Sequence, residues 1–195
     1  MKILAISDTE SKYFYDYYTP GKLRDFDLII SCGDLKLQYL EFLVTMAGCP
    51  LLYVHGNHDE AYTREPEGCI CIDDTLYVHE GVRIMGLAGC HRYREGKYMY
   101  TESQMRRKVS RMRFRIKKAG GIDILVTHAP ARGINDFDSI SHMGFECFNE
   151  LLYKYEPELF IHGHIHKNYG KDIPRRSTYG KTEIINAYDY CIVEI

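Results

Sequence analysis

Side chains that bind metal ions follow five short apolar segments of this 195-residue chain. They are carboxylates, an amide and imidazoles, at Asp8, Glu10, Asp34, Asn57, His128, His164 and His166. Oxygen and imidazole nitrogen donors together suit Mn²⁺, Fe or Zn²⁺ better than Ca²⁺. Seven donors exceed the positions of one tetrahedral ion, but they are enough for two ions that share a carboxylate. The residue types therefore predict a dinuclear metal site.

The apolar segments have the length and composition of β-strands. They are Ile3–Ile6, Leu28–Ile30, Leu51–Val54, Leu76–Val78, Val82–Leu87, Ile122–Val126, Leu159–Ile161, Glu183–Ile185 and Tyr190–Ile195. Several are apolar almost throughout, as strands covered on both faces are. Because the carboxyl ends of parallel strands lie at one edge of an α/β sheet, the polar clusters that follow five of them can meet there. Gly33, Gly56 and Gly163 let the backbone turn sharply beside these clusters.

Three segments between the strands have helical periodicity. They are Leu35–Ala47, Thr101–Ala119, which starts with a capping-box pattern, and Phe145–Tyr155. Strands alternate with helices early in the chain, and hairpin-like strands follow around residues 69–88 and 182–195. This order predicts an α/β layer fold with mixed sheets. No linker or repeat divides the sequence, so we expect a single domain over residues 1–195.

The composition is that of an ordinary globular protein. The formal net charge is −2 and charged residues make up 27%, which does not by itself indicate a nucleic-acid or membrane partner. No apolar run approaches the roughly 20 residues of a membrane span. Seven cysteines without an export signal predict a cytoplasmic protein with reduced thiols. Cys69-Ile70-Cys71 lacks the two-residue spacer of a zinc or redox motif, so we interpret both cysteines as ordinary strand or core residues.

The polar clusters also carry the motifs of a known family. Residues in all five clusters resemble, in type and order, the motifs of the calcineurin-like metallophosphoesterase superfamily. They are Asp8, Gly33-Asp34, Gly56-Asn57-His58-Asp59, His128 and Gly163-His164-Ile165-His166. A small bacterial branch of this superfamily has segments similar to Gly86-Leu87-Ala88-Gly89 and to the arginine-rich helix within Thr101–Ala119. Its cyclic-nucleotide phosphodiesterase-like members have a segment similar to Thr127-His128-Ala129-Pro130. The resemblance implies a four-layer sandwich of two mixed β-sheets flanked by helices. It also implies a dinuclear metal site at the carboxyl ends of the strands.

The resemblance further implies a role for each motif residue. One ion would be held by Asp8 and His166 and the other by Asn57, His128 and His164, with Asp34 bridging the two. His58 would lie beside the phosphate as general acid or charge stabiliser, and Asp59 would orient its ring. The ions would be Mn²⁺ or Fe, with Zn²⁺ as an alternative. The implied reaction is hydrolysis of a phosphoester by a hydroxide that bridges the metals.

Glu10 departs from the family's pattern, which has a histidine two residues after the first aspartate. In that pattern two carboxylates and a bridging hydroxide leave two divalent ions with a net charge of about +1, and an ionised, coordinated Glu10 lowers it to about zero. We therefore expect a phosphodiesterase, with a nucleotide or cyclic nucleotide as a candidate substrate. The alternative is a degenerate or single-metal member that acts as a binding or scaffold protein. His58 and Asp59 favour the enzyme, and Glu10 favours the scaffold.

Other residues admit both a functional and an ordinary interpretation. The eight basic residues within Met105–Lys118 can bind along a nucleic-acid phosphate backbone or form a solvated helix face. We favour the solvated face, so nucleic acid is a possible but less favoured partner. The aromatic residues at positions 13–18 can stack a nucleobase or, as we favour, pack their own loop. Arg92, Arg94 and Arg132 are candidates for phosphate contacts, and His142 can reach the cleft. The sequence leaves the oligomeric state open.

Overall fold

The strands of the protein pair into two large mixed sheets. The computed structural model describes residues 1–167 and 174–195, and the sheets are counted over these residues. One sheet contains, in spatial order, β13 (Asp189–Glu194), β1 (Lys2–Ser7), β2 (Leu28–Ser31), β3 (Leu51–Tyr53) and β4 (Ile70–Cys71). The other contains β11 (Arg176–Tyr179), β12 (Thr182–Asn186), β10 (Leu159–His162), β9 (Ile124–Thr127), β6 (Val82–Leu87) and β5 (Thr75–His79). A separate short pair joins β7 (Cys90–His91) to β8 (Met99–Tyr100).

Parallel pairing dominates the centre of both sheets. Strands β1 to β4 run parallel, and β13 adds to β1 in the antiparallel direction. In the second sheet β12, β10, β9 and β6 are parallel, while β11 and β5 are antiparallel edge strands. The predicted mixed sheets are therefore confirmed, and parallel strand ends at each sheet supply one common edge for a site.

Helices cover the outer faces of the sheets. They are α1 (Leu37–Ala47), α2 (Glu102–Ala119) and α3 (Glu146–Tyr155). Thr101 caps α2 in the expected capping box with Gln104, and Gly48 and Gly120 end α1 and α2 in the left-handed conformation. Among the described residues, no helix combines the length and the apolar character needed to cross a bilayer.

The core is organised in layers because the inner strands bury both faces. Ile3 and Ala5 of β1 face the second sheet, and the alternate residues Leu4 and Ile6 pack under α1. The outer face of the second sheet packs against the apolar stripes of α2 and α3. The order of layers is thus helix, sheet, sheet, helices. This confirms the four-layer α/β sandwich that the sequence predicts.

The structure corrects the expected pairing at the C-terminal end. Residues 182–195 do not form a hairpin, because β12 lies between β10 and β11 whereas β13 crosses to the other sheet and pairs along all of β1. A hairpin and a crossover have the same local strand pattern, so the sequence does not distinguish them. The crossover forms because β13 pairs with the otherwise free edge of β1. The expected hairpin near residues 69–88 is present as β5 and β6.

Candidate metal centre

The ends of five parallel strands meet at one edge of the two sheets. Backbone hydrogen bonds join these ends, from the Asp8 amide to the Gly33 carbonyl at 3.1 Å and from the Gly163 amide to the His128 carbonyl at 2.9 Å. The His128 ring, from the second sheet, bonds the Cys32 carbonyl in the first sheet through Nδ1 at 2.7 Å. The loops after β1, β2, β9 and β10 are thereby fixed relative to one another before any ligand binds.

Glycines allow these loops to approach so closely. A Cβ atom on Gly33 would lie 2.2 Å from the Gly56 amide nitrogen, and one on Gly163 would lie 1.9 Å from Ser7 Oγ. Neither position has room for a side chain, because contacts shorter than van der Waals distance force the loops apart.

Three residues of the site have left-handed backbone conformations that non-glycine residues seldom adopt. The φ angles are 65° at Asp8, 57° at Asp34 and 67° at His164. Such conformations cost about 1–3 kcal/mol each, and they persist where the surrounding structure holds them in place. The strain therefore marks side chains that are directed for a purpose other than stability.

Asp34, His128 and His164 form the centre of the site. Their donor atoms lie within 4.8 Å of one another. His128 Nε2 lies 3.0 Å from Asn57 Oδ1 and 3.4 Å from Asp34 Oδ2. An imidazole, an amide oxygen and a carboxylate thus point at a common volume from three different strand ends.

The two buried imidazoles each use one nitrogen to bond the backbone. His128 donates from Nδ1 to the Cys32 carbonyl, and His164 contacts the Ser141 carbonyl from Nε2 at 2.6 Å. A histidine that binds a metal usually donates its other N–H in this way, which selects the tautomer. His128 Nε2 and His164 Nδ1 are left as the donors available to an ion.

Asp8 lies next to the backbone of His164 and the ring of His166. Asp8 Oδ2 accepts a hydrogen bond from the His164 amide at 2.8 Å, and its Oδ1 lies 3.3 Å from His166 Nε2. Asp8 Oδ1 is buried and, among the described residues, has no partner that meets hydrogen-bond geometry. A buried carboxylate oxygen of this kind fits a cation, since leaving it unpaired is costly. The donor set therefore fits divalent ions bound at this edge.

The electrostatics of the site reflect its burial. Burial raises the pKa of Asp34, but the charge of His128 and hydrogen bonds from His128 and His58 lower it by a larger amount. The resulting pKa is about 2. Burial lowers the pKa of His128, yet Asp34 and Asp8 raise it to about 9. Burial and then the charge of His128 lower the pKa of His164 to about 3. Without metal, the carboxylates of Asp34 and Asp8 thus favour the protonated form of His128.

Glu10 lies beside Lys36 at the rim of the site. Its carboxylate oxygens are 3.1 and 3.2 Å from Lys36 Nζ. The Lys36 side chain is 75% exposed and that of Glu10 is 27% exposed, so water screens the cation more than the anion. Whether Glu10 leaves this ion pair to bind an ion stays a prediction.

His58 and Asp59 follow Asn57 but differ in environment. The His58 side chain is exposed, and its backbone amide donates to Asp34 Oδ1 at 2.8 Å. Asp59 is buried, and its Oδ2 accepts from the amides of Gly56 at 2.8 Å and Asp34 at 2.9 Å. The hydrogen bonds of Asp59 thus bind the loops after β2 and β3 together, and its expected role in orienting the His58 ring stays a prediction.

Comparison with known proteins identifies the family of the chain. A model of the calcineurin-like phosphoesterase family matches residues 1–168. The chain belongs to this family. Membership supports a metal-dependent phosphoester hydrolase in general terms, and the donor set described above agrees with that chemistry.

Solved structures show the same fold as this calcineurin-like phosphoesterase. One crystal structure, 16% identical, covers 98% of this chain and 94% of its own with a TM-score of 0.69. The protein TT1561 of Thermus thermophilus, also 16% identical, covers 96% of this chain and 89% of its own with a TM-score of 0.62. At these identities the likeness extends to the fold alone.

One curated relative shares part of its sequence with this calcineurin-like phosphoesterase. It is described as probable rhamnogalacturonate lyase C of Emericella nidulans (strain FGSC A4 / ATCC 38163 / CBS 112.46 / NRRL 194 / M139), and it is 22% identical over 203 residues. The match covers 89% of this chain but 18% of the relative, so the chain spans about a fifth of that protein's length.

A cleft opens beside His58 in this calcineurin-like phosphoesterase. It has a volume of about 390 Å³ and is lined by Asp34, Lys36, His58 and Tyr62 among others. This volume lies within the range of small-molecule sites, about 300–1,000 Å³. The residues predicted to be catalytic and bridging thus face a space that a small phosphoester fits.

The arginines predicted to contact phosphate are engaged with protein groups. Arg94 pairs with Glu60 at 2.9 Å, and Arg132 contacts Asp136 and Asp138 at 2.9 Å each. In the aromatic loop, Phe14 is buried against Tyr190, as the packing interpretation expects.

Sequence reasoning missed the Ser141 carbonyl and Lys36, although it named His142 as able to reach the cleft. The loop before α3 supplies the Ser141 carbonyl to His164 and places the His142 ring centroid 5.4 Å from that of His164. Lys36 lies only two residues after Asp34, and this spacing was the available signal for a cation at the rim. A backbone carbonyl such as that of Ser141 leaves no signal in the residue types.

Proposed function

We propose that this calcineurin-like phosphoesterase hydrolyses phosphodiesters with two divalent metal ions. The observation that carries the proposal is the convergence of Asp34, His128 and His164 next to an exposed histidine and an open cleft. A scaffold has no use for a proton donor at the mouth of a metal site, so His58 supports the catalytic alternative.

The donor geometry supports a division of the ligands between two ions. Asp8 and His166, 3.3 Å apart, would hold one ion, and Asn57, His128 and His164 would hold the other, with Asp34 shared. Bound there, Mn²⁺ or Fe, with Zn²⁺ as an alternative, would neutralise phosphoryl charge and supply an activated water. The chain's own contribution is to hold these donors in place, and Asp59 does so for two of the loops.

We assign His58 to the leaving group. Its ring projects from the loop that bonds Asp34 and lines the cleft. A protonated imidazole there can donate a proton to the departing alkoxide oxygen, or stabilise the charge that develops on it. The neighbouring Asp59 is a positioning residue, since its carboxylate bonds backbone amides.

The charge at the rim supports a preference for diesters over monoesters. Glu10 adds a half-buried anion where the family pattern has a neutral imidazole, and the exposed Lys36 compensates it only in part. A phosphodiester carries one negative charge and a monoester up to two near neutral pH, so the diester is repelled less. A nucleotide or cyclic nucleotide is a substrate of suitable size for the cleft.

The direct test measures hydrolysis of an aryl phosphodiester and of the matching monoester by metal-stripped and Mn²⁺-loaded protein, together with elemental analysis. We expect two ions per chain, turnover that depends on them and faster hydrolysis of the diester. One ion and no turnover would instead support the degenerate, single-metal scaffold.

Two variants with opposite effects on charge test the preference. Glu10→Gln removes an anion and should raise monoester hydrolysis relative to diester hydrolysis, whereas Lys36→Gln removes a cation and should lower it. The ratio of kcat/KM values is the readout, so a general loss of activity does not affect the comparison. An equal ratio in the wild type and both variants would remove the charge argument.

A cytoplasmic location is part of this proposal. Its support is the content of seven cysteines, all of which are free thiols in the structure. Fractionation of cells that express the protein is the measurement that decides it.

A further inference from the structure

A second group of metal-binding side chains lies at the β4 edge of the first sheet. It consists of His55, Cys71 and Asp73, and their donor atoms all lie within 4.8 Å of one another. We call this group the edge cluster. It shares no residue with the candidate metal centre, although His55 precedes Asn57 by only two positions.

Two donors of the edge cluster lie close to the third, which is the Nδ1 atom of His55. His55 Nδ1 lies 2.7 Å from Asp73 Oδ2 and 3.9 Å from Cys71 Sγ. The other oxygen of Asp73 accepts a hydrogen bond from the His55 backbone amide at 3.1 Å. Asp73 is therefore held by both the ring and the backbone of His55, and its carboxylate cannot turn away freely.

The imidazole of His55 is fixed on its remaining sides. Its side chain is 3% exposed, and the ring stacks on Tyr98 with centroids 4.4 Å apart and planes 10° apart. On the far side, Nε2 is buried 3.3 Å from Glu65 Oε2 but does not form a hydrogen bond of good geometry. Tyr53 donates its hydroxyl hydrogen to the same Glu65 oxygen. A carboxylate next to the non-coordinating nitrogen is the usual companion of a metal-bound histidine.

The charges of the edge cluster favour a cation. The carboxylates of Asp73 and Glu65 and the sulfur of Cys71 surround one imidazole. Cys71 is exposed, so an ion can reach it from solvent. Nitrogen, sulfur and oxygen donors in one set are typical ligands of Zn²⁺, whereas the candidate metal centre has no thiolate donor among its predicted ligands.

We propose that the edge cluster binds a third metal ion of the zinc class through His55 Nδ1, the Cys71 thiolate and the Asp73 carboxylate, with water as fourth ligand. Binding releases the proton of the Cys71 thiol to solvent and uses the lone pair of His55 Nδ1, with the ring proton on Nε2. Its donors would lie about 3.3–3.7 Å apart around a tetrahedral ion. Reaching that spacing needs the Asp73–His55 contact to open by less than about 1 Å. The ion would fasten the short strand β4 to the loop that carries Asn57 and His58.

Cobalt(II) is a probe that separates the two sites, because only a thiolate ligand gives a sulfur-to-metal charge-transfer band in the near ultraviolet. We expect Co²⁺ titration of the metal-free protein to produce this band in the wild type. Cys71→Ser should abolish the band and lower the cobalt content by one ion per chain. Cys69→Ser is the matched control and should retain the band, because Cys69 packs against the core under α1.

A second variant tests the same site without touching a ligand. Glu65→Gln should weaken Zn²⁺ binding at the edge cluster by about 10- to 100-fold, as loss of a carboxylate partner of a bound histidine does. Thermal unfolding of all variants in chelator checks that each is folded.

A band that is absent in the wild type, or that survives Cys71→Ser, overturns the proposal. The result is independent of phosphoesterase activity, since neither the band nor the zinc affinity requires turnover.

Discussion

Histidines of similar sequence context have different environments and hence different chemistry. His55 and His58 are three residues apart in one loop, yet His55 is buried against Tyr98 and His58 is exposed beside the cleft. His128 is fully buried, and the nearby carboxylate of Asp34 raises its pKa. Burial and hydrogen bonding therefore separate the proposed proton donor from the proposed ligands.

Replacement of His58 is expected to separate catalysis from metal binding. His58→Gln should lower kcat for an aryl phosphodiester by about 100-fold or more, the usual contribution of a general acid. Metal content should remain that of the wild type, because the structure gives His58 no donor position in the centre. Glu60→Gln, in the same turn, is the control and should have little effect. A parallel loss of metal and activity in His58→Gln would assign the residue to metal binding.

Elements contribute to the site through the close approach of their ends. Strand β1 ends at Ser7, and strand β10 ends at His162. Gly163, the residue after β10, lies so close to Ser7 that it has no space for a Cβ atom. Asp59 and the Ser7 hydroxyl, which donates to the Gly33 carbonyl at 3.1 Å, provide further links between loops. The strand ends thus determine how far apart the ligand loops can lie.

Enlarging Gly163 tests this packing. Gly163→Ala should destabilise the protein by about 1–3 kcal/mol, as overpacked positions do, and should weaken metal binding because Asp8 and His164 are displaced. Denaturant unfolding and Mn²⁺ titration measure the two effects. Gly96→Ala is the control, since its Cβ would meet only flexible side chains of Glu60 and Met99 at 3.0 Å or more. Wild-type metal affinity in Gly163→Ala would show that the loops adjust independently.

At the scale of the whole molecule, protons and metal ions would compete for the same proposed ligands. Ligation requires neutral imidazoles, whereas the metal-free fold is stabilised by a protonated His128. Since folding brings the proposed ligands of both sheets together, the stability of the whole protein would depend on which cation occupies the centre.

The pH dependence of stability should reverse with metal. The pKa of His128 is raised from 6.5 to about 9 in the folded protein, so its contribution is complete below pH 6.5 and disappears as the pH rises through about 9. In chelator, the difference in unfolding free energy between wild type and His128→Gln should shrink over that interval. With excess Mn²⁺, the stabilisation by metal should instead grow with pH. Urea unfolding at pH 6 to 10 checks both trends, and a constant difference in chelator would contradict the raised pKa of His128.

Local sequence patterns specified most of the secondary structure and the residue types of the site. Val82–Leu87 matches β6 residue for residue, and the capping box at Thr101 is formed as expected. Apolar periodicity and capping are local properties, so they can be detected without knowledge of the fold. The two-residue strands β4, β7 and β8 were missed, because they are too short for a pattern and exist through their partners.

Long-range packing settled which of these local elements became neighbours. It placed β12 and β13 in different sheets, gave Asp59 two backbone amides to hold, and paired Glu10 with Lys36. It also assembled the edge cluster from the end of β3 and the residues at and after β4. Such contacts depend on how the folded chain balances burial against conformational entropy, and residue spacing along the chain carries no record of that balance.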